Sequence, residues 1–539
     1  MFVGLDFDNT IADYDSLFTK VAMQSDLIEK GWNGSKKELK EFILNKTNGE
    51  KSWMELQGKV YGEFMSEAEV MPGVINFLMH CKRWKVPVCI VSHKTEYGHF
   101  DSKRIPLRDE AKKWMKKKGL FNKNFMPINP RDIFFADTRK QKIKRIVESG
   151  CTHFVDDLIE VFQEPEFPNR IIKILFSSEE NNFPNLSVYD NWAEIRYAIL
   201  GKEDLGAIRF LVKALKGAFP DSIELLEGGD NSRVYDVSIK KSRFAMKMYP
   251  DELLDRRPRL ETEFNTLNFL HKNLVTNIPK PEKKNNQLNI GLYSWVEGKK
   301  IKKITKKHLF HCIDFVKKLK SLDASEEVGF KLASEACLSG KELNKQIDSR
   351  LNKLLSVQGN EDLKNFLIQN FSPLLTKVKA KYYKKWPADS REIDLIQEKR
   401  ILSPSDFGFH NALITDKDSL TFLDFDYFGW DDPVKLVSDF YWHPAMELSE
   451  VHRAYWLKGM EEIFLEQDKF FVKRLKAALP FYGLRWTLII LNEFLSHEIK
   501  TRKHVEVRGE DNFNEIKEAQ LQKAAKLCFS LEKYTKENS

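Results

Sequence analysis

The chain has 539 residues, a formal net charge of +8, 42% hydrophobic residues and 31% charged residues. Such a length exceeds one ordinary core and sets an expectation of two or three domains of globular composition. Apolar runs fall short of the roughly 20 residues needed to cross a bilayer, and MFVGLDFDNT carries acids where a secretory signal has a basic region, so neither a span nor a cleaved signal is expected. Cys81, Cys89, Cys151, Cys312, Cys337 and Cys528 form no CxxC pair, which points away from disulfides or zinc and toward a reducing, cytoplasmic setting. The positive excess is small for this length and suits phosphorylated small molecules as readily as nucleic acid.

The first predicted element, FVGLDFD, is a buried strand ending in acids, and VPVCIVSH, DIFFAD and THFVDD repeat that form. Helical stretches such as AKKWMKKKGLF lie between them, so a parallel sheet is expected, with ligands at the carboxyl ends of its strands. Between the first two strands, the stretch from about 14 to 82 is too long for a plain crossover and is expected to form a small helical cap. After the helix WAEIRYAIL, the segment GKEDLG reads as a linker, which places a domain boundary near Leu200. Beyond it, SIELLEGGDNSRVYDVSI and RFAMKMYP read as strands around a glycine turn. A helix through LETEFNTLNFLHKN and a strand at LNIGLYSWVEG follow, and the remainder from Lys303 is predominantly helical.

Asp6 and Asp8 lie two apart where the first strand opens into a loop, so their side chains point the same way. Like charges this close need a cation or a shared proton. Asp-Asn-Thr by itself is also an ordinary turn sequence. Ser92 ends the second strand, Lys140 and Lys142 follow the third, and Asp156 and Asp157 end the fourth. In that order the set resembles the motifs of haloacid dehalogenase-like phosphohydrolases, over about residues 1–200. The resemblance implies Asp6 as the nucleophile forming an aspartyl-phosphate, Asp8 as general acid and base, and Ser92 as a donor to the phosphoryl oxygens. It also implies Mg²⁺ held by Asp6, Asp8 through its backbone, Asp156 and Asp157, with a lysine neutralising the phosphate. Lys142 is favoured over Lys140 for that role because it opens the helix KIKRIVESG.

In the second half, Gly228 and Gly229 punctuate a strand-turn-strand that could bring backbone amides to a phosphate, although a glycine pair between strands also serves a plain hairpin. Lys247 stands in the apolar strand FAMKMY and needs an anionic partner, for which Glu263 is the candidate. Further on, Asp406 and Asn411 are five apart in LSPSDFGFHNALI, and Asp424 follows Asp406 by eighteen residues in FLDFDYFGWDDP. These residues resemble the catalytic core of the aminoglycoside phosphotransferase and choline kinase family, over about residues 206–445. The resemblance implies Asp406 as catalytic base, Asn411 and Asp424 as Mg²⁺ ligands, and Lys247, held by Glu263, as the ATP phosphate contact. The hinge LYSWVEG, with Trp295 and Glu297, would receive adenine, Asp426 would assist with metal, and Asp439 would brace the catalytic loop. That family usually has His-Gly before the catalytic Asp, where this chain has Pro404 and Ser405.

The expected fold class is therefore α/β and α+β. A Rossmann-like parallel sheet with a helical cap occupies 1–200, and a protein-kinase-like two-lobed domain occupies 206–539, its N-lobe about 206–298 and its helical C-lobe about 299–539. The expected function is a bifunctional, Mg²⁺-dependent phosphatase and ATP-dependent small-molecule kinase, by analogy in sugar or sugar-phosphate metabolism. A nucleic-acid end-processing kinase and phosphatase is the first alternative; it calls for a basic groove with interleaved aromatics, whereas the sequence shows scattered lysine pairs. A phosphatase regulated by a nucleotide-binding pseudokinase is the second. Pro404 and Ser405 favour it, while Asp406, Asn411 and Asp424 oppose it.

Overall fold

The computed structural model describes residues 1–537 apart from 102, 180–182, 202–203, 227–231, 251–254, 256, 323–328, 416–418 and 496–512. Leaving 251–254 aside, the chain divides into a first unit, Met1–Ile223, and a second formed by Glu224–Pro250 and Asp255–Ser539.

The apolar runs of the first unit pair as strands β1 (Val3–Leu5), β4 (Val88–His93), β5 (Ile133–Ala136), β6 (His153–Asp156), β7 (Ile172–Phe176) and β8 (Leu186–Tyr189), while β2 (Ala12–Asp13) and β3 (Glu69–Val70) form a separate two-stranded pair. The larger sheet has the order β5-β4-β1-β6-β7-β8 and is parallel throughout. In its middle, Leu5 lies level with Ile90 on one side and Val155 on the other. Asp6, Ser92 and Asp156 therefore come together at one end of adjacent strands. Strands β7 and β8 are not among the runs read as strands above; Ser177 follows the first and Asp190 the second.

Close packing holds β1 in place. A Cβ on Gly4 would come within 2.6 Å of the Phe154 ring and 3.1 Å of Cys151 Sγ. Gly4→Val should accordingly lower the stability of this unit by about 1–3 kcal/mol, the usual cost of overpacking, as read by urea denaturation. An unchanged midpoint would show that the sheet relaxes around the added methyls.

The helices of the first unit are α1 (Asp15–Gln24), α2 (Lys36–Leu44), α3 (Gly49–Tyr61), α4 (Val74–Arg83), α5 (Leu107–Lys117), α6 (Arg139–Ser149), α7 (Ile159–Gln163), α8 (Trp192–Leu200) and α9 (Leu205–Lys216). Of the stretch expected as a cap, α1 to α3 pack on one another, whereas α4 packs on α8 and α9. Most of α4 is buried, including Val74, Phe77 and Leu78. The unit boundary also falls later than Leu200. The apolar face of α9, with Ile208, Leu211, Val212 and Leu215 buried, joins the first unit.

In the second unit, β9 (Ser222–Leu225, which carries the boundary), β10 (Arg233–Ile239), β11 (Ser242–Met248), β12 (Pro281–Asn285) and β13 (Ile290–Ser294) form a sheet of order β12-β13-β11-β10-β9. Helix α10 (Arg259–Lys272) packs on it. Short strands β14 (Lys299–Lys300), β15 (Ile401–Ser403), β16 (Ala412–Ile414), β17 (Leu420–Phe422) and β18 (Gly429–Asp431) lie around the segment that carries Asp406, Asn411 and Asp424. The rest is helical: α11 (Lys306–Lys320), α12 (Gly340–Leu355), α13 (Glu361–Phe366), α14 (Ser372–Tyr382), α15 (Ala388–Glu392), α16 (Pro433–Trp442), α17 (Glu450–Phe464), α18 (Phe471–Ile490) and α19 (Phe513–Glu537). Every residue of α16 is buried, so it forms the axis of the helical part. One apolar cluster runs from Leu267 and Leu309 through Phe440, Trp456 and Leu488. Among the described residues, no helix is long and apolar enough to cross a membrane.

Candidate active sites

At the carboxyl end of the first sheet, Lys142 Nζ lies 2.6 Å from Asp6 Oδ1 and 2.6 Å from Asp156 Oδ2. All three side chains are buried. Lys140, in contrast, is exposed over 83% of its side chain and pairs with Glu166 at 3.6 Å. Helix α6 begins at Arg139, capped by the Thr138 side chain, so Lys142 lies within its first turns and does not open it. Two positions along a helix are more than half a turn apart, which sends one lysine inward and the other out.

Burial is the largest influence on Asp6 and holds its carboxyl well above the usual range; Lys142 opposes this, and Asp156, Asp157 and Asp8 add to it. Burial and Asp156 push Asp157 up to about 7. For Lys142, burial alone would lower the pKa, but attraction and hydrogen bonds from Asp156 and Asp6 prevail and raise it. The carboxylate oxygens of Asp6, Asp156 and Asp157 lie within 4.8 Å of one another. This is a hard oxygen set of the kind that suits Mg²⁺, and a second cation would relieve the crowding that raises the acids.

The geometry adds two residues that the sequence reading missed. Lys94 Nζ lies 2.8 and 2.9 Å from the two oxygens of Asp8, and Tyr14 Oη donates to Asp8 Oδ1 at 2.6 Å. The available signal for Lys94 was its place immediately after β4 in VSHKT, where a buried strand delivers it to the acids. Ser92, level with Phe135, is buried at the end of β4. Asn9 takes a left-handed φ of 57°. Its amide donates to Asp157 at 3.2 Å and accepts from Lys36, which opens α2.

In the second unit, Lys247 Nζ on β11 lies 2.7 Å from Glu263 Oε2 on α10, 2.5 Å from Asp424 Oδ1 and 3.6 Å from Asp426 Oδ2. Burial would strip its charge, but Asp424, Asp426 and Glu263 together raise its pKa well above the ordinary lysine value. Glu263, Asp424 and Asp426 place oxygens within 4.8 Å of one another, and Arg259 holds Asp426 at 3.0 Å. The Leu423 N–H donates to the Asn411 carbonyl at 2.8 Å, which ties the two segments carrying Asn411 and Asp424. Asn411 Nδ2 in turn donates to the Asp406 carbonyl at 3.0 Å and approaches Oδ2 at 3.3 Å. These carboxylate and amide oxygens also suit Mg²⁺.

The loop before Asp406 explains the unusual Pro404 and Ser405. Ser405 has a φ of 67°, a conformation that otherwise favours glycine. Its hydroxyl donates to the Ser334 carbonyl at 3.2 Å and accepts from Lys435 at 3.0 Å. Lys435 also pairs with Asp431 at 2.9 Å and Asp439 at 3.3 Å, so Asp439 reaches the loop through this lysine. Two histidines absent from the sequence reading surround Asp406. His410 Nε2 lies 2.9 Å and His443 Nε2 3.6 Å from its Oδ1. Burial would raise the Asp406 carboxyl, but the hydrogen bond and charge of His410, with His443 and Asn411, bring it down to about 2.

At the expected hinge, the Trp295 backbone N–H donates to the Arg243 carbonyl at 3.3 Å, and the Arg243 guanidinium sits 3.9 Å from the Trp295 ring centre. Arg243 also binds Glu297 at 2.6 Å and Asp236 at 2.6 Å. Gly228 and Gly229 fall outside the described residues.

Residues 222–461 match the model of APH, the phosphotransferase enzyme family. A search of the curated proteins gives no match. Among solved structures, the chain is similar to spectinomycin phosphotransferase APH(9)-Ia in complex with ADP and spectinomycin, at 15% identity over 59% of this chain and 98% of that one, with a TM-score of 0.39. It is likewise similar to a streptomycin and ATP complex of APH(2")-IIa, at 17% identity, 53% and 91% coverage and a TM-score of 0.38. A third similarity is to an ethanolamine kinase of Plasmodium vivax, at 11% identity, 62% and 93% coverage and a TM-score of 0.40. The similarity to the phosphotransferase enzyme family thus spans residues 222–461 of the chain.

Proposed function

We propose that the chain is a bifunctional, Mg²⁺-dependent enzyme: an ATP-dependent kinase acting on a small-molecule hydroxyl in its second unit, and a phosphatase working through an aspartyl-phosphate in its first. The observation that carries the kinase reading is the linked set of Lys247, Glu263, Asp424, Asn411 and Asp406 in a segment of the phosphotransferase family. Lys247 holds the ATP phosphates, and Asn411 and Asp424, with help from Asp426, hold magnesium. Bound there, a magnesium ion would supply positive charge against the phosphates. Asp406, ionised across the physiological range, orients the acceptor's hydroxyl and takes its proton late. A weak base suffices where the transition state is loose and charge sits on the phosphoryl oxygens.

The phosphatase reading is supported by the grouping of Asp6, Asp8, Ser92, Lys142, Asp156 and Asp157 at one strand edge. In it, an Asp6 oxygen attacks phosphorus and the bond to the leaving oxygen breaks. Asp8, fixed by Lys94 and Tyr14, gives a proton to the leaving oxygen and then takes one from the water that attacks phosphorus as the bond to Asp6 breaks. Lys142 offsets charge on the phosphoryl oxygens, and a magnesium ion, which Asp6, Asp156 and Asp157 would hold, would add to that. Asp6→Asn removes the nucleophile with little change in shape and should abolish Mg²⁺-dependent release of phosphate from 4-nitrophenyl phosphate. Turnover retained in that variant would sink the assignment.

A further inference from the structure

The two histidines beside Asp406 come from separate places in the fold. His410 sits in the turn Phe409–Asn411 between β15 and β16, and His443 follows the buried helix α16. Their rings stack with centroids 4.0 Å apart and planes 3° from parallel. Both Nε2 atoms face the same oxygen, Asp406 Oδ1, at 2.9 and 3.6 Å. His443 is itself fixed. Its backbone N–H donates to the Asp439 carbonyl at 2.8 Å, and the Trp486 ring meets it edge-on at 4.4 Å. Trp486 in turn donates to Asp439 at 2.8 Å.

The tautomer of His443 follows from its other nitrogen. The Ala445 N–H donates to His443 Nδ1 at 3.2 Å. A nitrogen that accepts cannot carry the proton, so Nε2 carries it and aims it at Asp406. His410 has a buried Nδ1 without a hydrogen-bond partner, and with Nε2 at hydrogen-bonding distance from a carboxylate, its proton also belongs on Nε2.

Resting on the kinase reading of Asp406, we infer that His410 and His443 are positioning residues: a stacked pair of imidazoles that clamps Oδ1 of the base and leaves Oδ2, which Asn411 approaches at 3.3 Å, a further lone pair for the acceptor's hydroxyl. The pair supplies from two later elements the fixation of this loop where the residues just before Asp406 are Pro404 and Ser405. The same three side chains bring ligand atoms within 4.8 Å of one another, which raises the rival reading of a transition-metal site. The hydrogen bonds oppose it. A metal-binding imidazole donates its second N–H to an acceptor, whereas His443 Nδ1 accepts from Ala445. Parallel stacked rings also point their Nε2 lone pairs side by side, while one metal ion should lie near both ring planes.

The test uses the full chain labelled with ¹⁵N-histidine, comparing wild type, His410→Gln, His443→Gln and Asp406→Ala by imidazole NMR. The two His variants identify the ring signals. The expected spectrum shows His443 as the neutral Nε2–H tautomer at pH 7, and in Asp406→Ala both rings shift. His443 found with its proton on Nδ1, or both rings unmoved in Asp406→Ala, would overturn the clamp. So would stoichiometric Zn²⁺ that displaces both Nε2 protons.

Kinetics supply the second arm, with water as the acceptor in MgATP hydrolysis. His410→Leu should lower kcat about 10- to 100-fold, the scale of a misplaced reacting group, with MgATP affinity unchanged and His410→Gln restoring part of the rate through its amide donor. Placed on Asp406→Asn, the same change should cost nothing further, because coupled residues are not additive. A full additional loss in the double variant would assign His410 a structural role. Wild type that fails to bind MgATP would instead remove the kinase reading, and the NMR result would then stand as a property of the loop alone.

Discussion

Lys142→Met should destabilise the first unit by about 3–5 kcal/mol, the range for leaving a buried charge without its partner. Its ammonium lies 2.6 Å from both Asp6 and Asp156, so the variant keeps two buried carboxylates and loses the cation between them. Urea denaturation at neutral pH measures the loss. Magnesium should recover part of it, since a divalent ion at the same oxygens restores positive charge. Lys140→Ala provides the contrast. Its exposed pair with Glu166 is of the surface kind, worth at most about 1 kcal/mol and commonly nothing measurable. Phosphate release should follow the same ranking, and equal effects from the two lysines would remove Lys142 from the site.

Asp406→Asn should reduce phosphoryl transfer from ATP by roughly 10²-fold or more, the scale of general acid-base catalysis, while leaving MgATP binding intact. The amide keeps the size of the side chain, but it cannot take a proton, and facing two imidazole N–H groups it will turn its oxygen to them. The NH₂ then falls where the acceptor's hydroxyl should donate. Asp424→Asn should fail differently. It withdraws charge from the metal and from Lys247, which lies 2.5 Å away, so nucleotide affinity falls as well as rate. Identical defects in the two variants would contradict the division of roles between base and metal ligand.

Much of this arrangement was legible because strands announce their ends. FVGLDFD, VPVCIVSH, DIFFAD and THFVDD are apolar runs that stop at polar residues, and the parallel sheet sets those stops side by side. Lys247 was legible for a related reason: one ammonium in an apolar strand demands an acid. What escaped depends on contacts between distant segments. A lone histidine has no periodicity, so nothing in FHNALI or YWHPAM tells that His410 and His443 stack 4.0 Å apart. Lys94 follows a strand that was recognised, yet its bond to Asp8 needs the β1–β4 pairing to be known. The glycine-led segment before α9 looks like a domain linker, but the apolar face of that helix packs on α4 and belongs to the first unit. Linker composition reports flexibility of the local chain, whereas the boundary is decided by where the next apolar face is buried.

Calorimetric titration of the full chain with MgATP, run beside hydrolysis of 4-nitrophenyl phosphate in the same preparations of wild type, Asp6→Asn and Asp424→Asn, tests the central claim of two separate phosphoryl-transfer sites most directly. Wild type should bind one MgATP and release phosphate from the aryl ester. Asp6→Asn should lose the hydrolysis and keep the nucleotide, and Asp424→Asn should do the reverse. Loss of both activities from either single substitution, or a wild type that binds no nucleotide, would contradict the account.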